Sequence, residues 1–156
     1  MTKTVFTAAA AIALPLATFA HAQAPAAIDL ETVAPLPGTW AYRAYAGGSE
    51  AAFFDAARAR RTVVRCNRTV RTVSLIRPGV AAAAPTLSVW TTTSTRSIPA
   101  RFQATGELSA DLRATDPLLD AIAFSRGRFA TGGAGAALLA VPATPEVEKV
   151  IEDCRT

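Results

Sequence analysis

Thr62-Val63-Val64-Arg65-Cys66, then Asn67-Arg68-Thr69, then Val70-Arg71-Thr72-Val73-Ser74-Leu75-Ile76: two β-branched runs separated by three polar residues. β-Branched side chains are stiff and pack well on a pleated surface. Apolar and polar residues partly alternate in both runs, the period of a strand with one buried face. The loop between them is short and polar, and Pro78-Gly79 stops the second run. The pair therefore reads as an antiparallel hairpin. Asn67-Arg68-Thr69 also fits a glycosylation sequon, a match of little weight in a chain with bacterial features.

Outward from the hairpin the same texture repeats. Upstream, Thr39 to Tyr45 is aromatic-rich and ends at Gly47-Gly48, and Glu50 to Asp55 is expected as the next strand. Downstream, Leu87 to Thr93, Arg96 to Thr105 and Leu108 to Ala114 read as strands, with Pro99 marking an edge or bend. Asp116-Pro117 is a helix start, an N-cap carboxylate before a Pro at the first helical position. It predicts a short helix near 116–123. Arg126 to Phe129 looks extended. Gly132-Gly133-Ala134-Gly135 turns the chain into Ala137 to Val141. Thr144-Pro145-Glu146 opens a last helix near 145–154, with Val147, Val150 and Ile151 as its buried stripe. The expectation is a mostly β (α+β) domain of about eight short strands, an antiparallel sandwich or curled sheet carrying two helices.

The N-terminus reads as an address. Lys3 is a positive n-region, Val5 to Leu16 an apolar h-region, and Ala20-His21-Ala22 a small-x-small cleavage site. A membrane anchor is the competing reading, but the run is shorter than the roughly 20 residues that span a bilayer. The expected organisation is a signal peptide over 1–22, a flexible Pro-containing arm over 23–37 and one β-rich domain over 38–156. The expected location is the periplasm or the exterior, with no transmembrane segment left after cleavage. An exported chain with two cysteines, Cys66 and Cys154, is expected to join them in a disulfide. Closing a loop of about 89 residues is worth up to roughly 4.6 kcal/mol in the chain-entropy model.

Cleavage would remove His21, the only histidine. Ser-His-Asp triads, Cys-His dyads and His-ligated zinc are then excluded. Two thiols are too few for a metal, no cofactor is expected, and no catalytic residue is assigned. Gly132 to Gly135 departs from the dinucleotide-binding pattern, since Leu138 stands where a third Gly is needed. Ser125 lacks a nucleophile-elbow context. Asp116, Asp120, Glu107 and Asp111 are the carboxylates on which a small glycan hydrolase would rest. Their plainer reading is a cap and solvated acids. Trp40, Tyr42, Tyr45 and Trp90 would line a sugar platform if exposed, and pack in a core otherwise.

Arginine crowds one span: Arg58, Arg60, Arg61, Arg65, Arg68, Arg71 and Arg77. With some side chains on one side, Arg65, Arg68 and Arg71 would form a basic face for an anionic envelope polymer. The competing expectation pairs these arginines with Asp55, Glu50 or Glu107 and leaves no patch. The span carries no interleaved aromatics, so nucleic acid is not expected as a partner.

Asp116 to Phe129, with Glu148 to Arg155, Arg65-Cys66 and Arg71 to Leu75, resembles small uncharacterised exported proteins of sphingomonad-type alphaproteobacteria. The resemblance covers most of the chain from Trp40 onward. It implies periplasmic residence and carries over no catalytic residue. The leading functional expectation is a non-enzymatic exported binding or envelope-accessory domain, with an envelope protein or anionic polymer as the possible partner. The alternatives are the carboxylate-dependent hydrolase and the basic-face binder, with Arg65, Arg68, Arg71, Trp40 and Trp90 as candidate binding residues.

Overall fold

A computed structural model describes residues 25–133 and 135–156. The expected signal peptide and its cleavage site lie outside the described residues. The domain is one sheet of nine antiparallel strands with two helices. The strands are β1 (Gly38–Tyr45), β2 (Gly48–Asp55), β3 (Arg60–Asn67), β4 (Thr72–Arg77), β5 (Thr86–Trp90), β6 (Thr95–Gln103), β7 (Glu107–Arg113), β8 (Arg128–Gly133) and β9 (Ala136–Pro142). The helices are α1 (Pro117–Ala123) and α2 (Pro145–Arg155). The spatial order is β1-β2-β3-β4-β7-β6-β5-β8-β9.

The sheet curls upon itself, which settles the choice left open between sandwich and curled sheet. β6 is the bend. It pairs with β5 through Thr95 to Pro99 and with β7 from Ala100 to Gln103. Pro99 sits where the strand changes partner, as a residue with no backbone N–H to donate should. The curl brings the edge strands close enough for the Trp40 Nε1 to donate to the Pro142 carbonyl at 2.8 Å.

Period-2 alternation fills the concave side. Phe53, Val64, Cys66, Val73, Leu75, Leu87, Val89, Leu108 and Phe129 are buried there with Leu118, Leu119, Val150 and Ile151 of the helices. Side chains thus occupy the interior of the curl. In α1, Asp116 accepts from the Leu118 N–H at 2.9 Å, as an N-cap, with Pro117 at the first position. α2 begins at Thr144 with extended cap geometry, but the Thr144 hydroxyl makes no cap bond. Glu146 and Glu148 in its first turn and Arg155 in its last suit the helix dipole. α2 crosses β1 to β4, burying Val147, Val150, Ile151 and Cys154. The Cys66–Cys154 disulfide, with Cα atoms 5.4 Å apart, fixes its last turn to β3.

Three local expectations shift. β4 begins at Thr72, and Val70 belongs to the turn, where it is exposed. Arg71 in that turn has φ +49°. The turn is organised by Asn67, whose side-chain oxygen accepts from the Thr69 N–H, a side-chain competitor to ladder pairing. β5 ends at Trp90, because the Thr91 hydroxyl caps a turn through the N–H groups of Thr93 and Ser94. Residues 25–37, expected as a flexible arm, lie against the sheet: Leu30 is buried with Trp90, Ala130 and Ala140, and Ile28 and Val33 pack beside it.

Candidate functional site

Outward-facing residues of the first half of the sheet form two rows. In the polar row, Arg43, Glu50, Arg65, Ser74 and Asp111 stand directly opposite one another across β1, β2, β3, β4 and β7. The Glu50 carboxylate accepts from the Nε of Arg43 at 2.7 Å and of Arg65 at 2.9 Å. Asp111 accepts from the Ser74 hydroxyl at 2.6 Å and pairs with Arg101. Burial on its own would raise the Glu50 carboxyl. The hydrogen bonds and charges of Arg43 and Arg65 outweigh it and hold Glu50 below the usual carboxylate value. In the adjacent apolar row, Ala52, Val63 and Ile76 are buried although they face outward, with Phe54 packed against them.

Between the rows lies an open depression of 520 Å³, floored by Ala41, Ala52 and Phe54 and walled by Arg43, Glu50 and Arg60. An apolar floor with a few placed charges suits a ligand that has an apolar body and a polar edge. Glu50 was not among the sequence-derived candidates as a site residue. The sequence offered it only as one of the acids, with Asp55 and Glu107, expected to pair with the crowded arginines, and all three do so.

The candidate arginines do not gather into a free patch. Arg65 is bound to Glu50, Arg60 to Glu107 at 2.6 Å and Arg61 to Asp55 at 3.7 Å. Arg68 approaches Asp153 at 3.7 Å, and Arg71 donates to the Arg155 carbonyl. Arg77 points inward. It is 6% exposed and donates to the Thr131 carbonyl and hydroxyl and to the Ala137 carbonyl, joining β4 to β8 and β9 across the interior. Burial, with the nearby charge of Arg61, brings its pKa down to about 10. Its place was readable: Val73, Leu75 and Arg77 share one period-2 face.

The two tryptophans stand on opposite sides of the sheet and form no common platform. Trp40 packs edge-on against Phe53 at 5.4 Å and stacks on Phe129 at 6.2 Å on the concave side. Trp90 is buried under Leu30, and its Nε1 donates to the Ala26 carbonyl at 2.9 Å. The Tyr42 hydroxyl donates to Asp153 at 2.7 Å, which raises the phenol pKa. The Tyr45 hydroxyl donates to the Cys66 carbonyl.

Every carboxylate considered for hydrolysis is held by an arginine. Asp116 caps α1 and pairs with Arg96 at 2.7 Å; Asp120 pairs with Arg155 at 2.8 Å. Glu107 and Asp111 are engaged as above. The Ser125 hydroxyl donates to the Arg128 carbonyl and accepts from the Thr92 N–H, a loop-organising role. Gly132 and Gly133 end β8, and Gly135 stands just before β9, so a strand and not a helix follows. Among the described residues, no group of three or more His, Cys, Asp or Glu side chains is placed to hold a metal ion. No protein-family model, curated protein or solved structure matches the chain.

Proposed function

We propose that this is a non-enzymatic binding domain of the bacterial envelope, delivered to the periplasm or released. The surface that serves it is the outward face of β1 to β3. The depression over Ala41, Ala52 and Phe54 carries this reading. It is open to solvent, its floor is apolar, and charged groups stand only on its walls. The engagement of Asp116, Asp120, Glu107 and Asp111 by arginines weighs against the hydrolase alternative, since a working acid–base pair needs carboxylates free to meet substrate. The pairing of Arg60, Arg61 and Arg65 with acids weighs against the basic-face alternative in that span. Export is supported by the leader-like N-terminus and by the disulfide. Among the described residues no helix is long and apolar enough to cross a membrane.

The test exposes purified protein to a panel of peptidoglycan fragments and envelope polysaccharides and reads both binding and turnover. Binding without turnover, lost when Phe54 is replaced by Arg, is the expected result. Turnover abolished by Asp120→Asn would overturn the reading, as would binding indifferent to Phe54→Arg.

A further inference from the structure

Antiparallel order sends the ends of β1, β3, β5, β7 and β9 and the starts of β2, β4, β6 and β8 to one end of the curled sheet. Both helices close that end. The C-terminus of α2 reaches it, where the Arg155 Nε donates to the Ala114 carbonyl at 3.0 Å. The α1–β8 loop reaches it too, with the Arg126 N–H on the Thr92 hydroxyl. The two most exposed large apolar side chains of the described residues both stand on its rim. Phe124, after α1, is 72% exposed, and Val70, in the β3–β4 turn, is 63% exposed. Tyr45, at the β1–β2 turn, adds a third exposed apolar side chain; the Arg68 N–H bonded to the Gly47 carbonyl holds that turn beside Val70.

Charge on the rim differs from charge on the outward face. Arg68, Arg96 and Arg155 at this end are paired with Asp153, Asp116 and Asp120. Arg71, Arg113 and Arg126 form no ion pair among the described residues, Arg71 donating only to the Arg155 carbonyl, whereas the arginines of the outward face are paired. A depression of 380 Å³ lies between Val70, Arg71, Arg113, Ala114 and Thr115. It offers a phosphate two guanidinium walls beside an apolar side chain.

Single exposed apolar residues are ordinary. Apolar tips set among unpaired arginines at one end are the chemistry of a bilayer interface, where apolar groups enter the acyl boundary and cations meet anionic headgroups. We infer that this rim docks on an anionic lipid surface, with Phe124 and Val70 inserted and Arg113 and Arg126 against phosphates. The inference rests on the envelope reading only for the compartment. It leaves the β1–β3 face at the side of the docked domain, free for its own ligand.

The experiment is co-sedimentation of the exported protein with vesicles of phosphatidylcholine alone or with phosphatidylglycerol. N-terminal sequencing of the same sample reports the Ala22 cut. An uncut chain would overturn the export reading, while docking is still read from wild type against variants. Binding is expected only with phosphatidylglycerol and is expected to fall in high salt. Val70→Ser with Phe124→Ser is expected to weaken it on the order of tenfold. Arg113→Ser with Arg126→Ser is expected to weaken it to a similar extent, on the order of tenfold. Unchanged thermal midpoints would show that both variants fold. No binding to anionic vesicles overturns the inference. So does a loss confined to the arginine variant with equal retention on a lipid-free polyanion column, which would mean a polyanion site.

Discussion

On the β1–β4 half of the sheet, Ala52, Val63 and Ile76 face outward and are shielded by Phe54 and by ion pairs that reach across strands. The Arg60–Glu107 pair runs from β3 to β7, across the strand that carries Ile76. On the β5–β9 half, Trp90, Ala130 and Ala140 also face outward, and there the chain itself covers them through Ile28, Leu30 and Val33. The two halves meet the same difficulty, an apolar outer surface, by different means. Long arginine stems cover apolar ground while their heads stay wet. That leaves an open, chemically varied face. A docked chain segment gives a dry and closed one. The ligand surface we propose lies on the half covered by side chains, where a depression with an apolar floor stays open.

The halves also differ in what fixes them, and this sets the largest expected effect. α2 covers the inner side of β1 to β4, and the disulfide holds its end to β3. Replacing Cys66 and Cys154 together by Ala should lower stability by up to roughly 4.6 kcal/mol, measured as a shift of the urea midpoint. Thiol titration of denatured, unreduced protein should find no reactive thiol. Two per chain would refute the bond.

A smaller effect probes the chain-covered half. Leu30→Ser should cost about 2–3 kcal/mol, the burial of one large aliphatic side chain. It should also red-shift the emission of Trp90 while Trp40, held between Phe53 and Phe129, keeps its own. Unshifted emission would mean that the segment does not cover the second half in solution.

Strands and helix starts were legible in the sequence because local chemistry sets them. Asp116-Pro117 and Thr144-Pro145 mark both helix starts, and β-branched alternation marks β3 and β4. Pro99 marked the bend of β6, and the paired cysteine count gave the disulfide. The docking of residues 25–37 was not legible. It depends on Trp90, Ala130 and Ala140, three residues from three strands, forming one apolar strip that only the assembled sheet creates. The site was half legible. Arg65 was a candidate and Glu50 one of three acids expected to pair with the arginines, but which acid meets which arginine, 15 residues apart in sequence for this pair, is set only by the β2–β3 register. Trp40 and Trp90 looked equivalent as aromatics. Strand parity, one even count from the core and one odd, sends them to opposite faces.

The smallest effect tests the side-chain-covered half through its pH dependence. Glu50 has a side chain 5% exposed and a carboxyl held by Arg43 and Arg65 below its reference value of 4.5. A group whose folded pKa is depressed contributes stability that is complete above the unfolded value and is lost as pH falls through the folded one. The arginines are partly exposed, at 69% and 40%, so the contribution is discounted for solvent screening to about 1 kcal/mol. Glu50→Gln keeps the shape and removes the charge. It should be less stable than wild type by about 1 kcal/mol at neutral pH, and the gap should close as acid protonates Glu50 in the wild type. Added salt should narrow the gap as well. Leu30→Ser, in contrast, should show a gap that pH and salt leave alone. If both variants respond alike to pH, the two halves are not covered by different physics, and the paired arginines of the outward face are surplus charge rather than its cover.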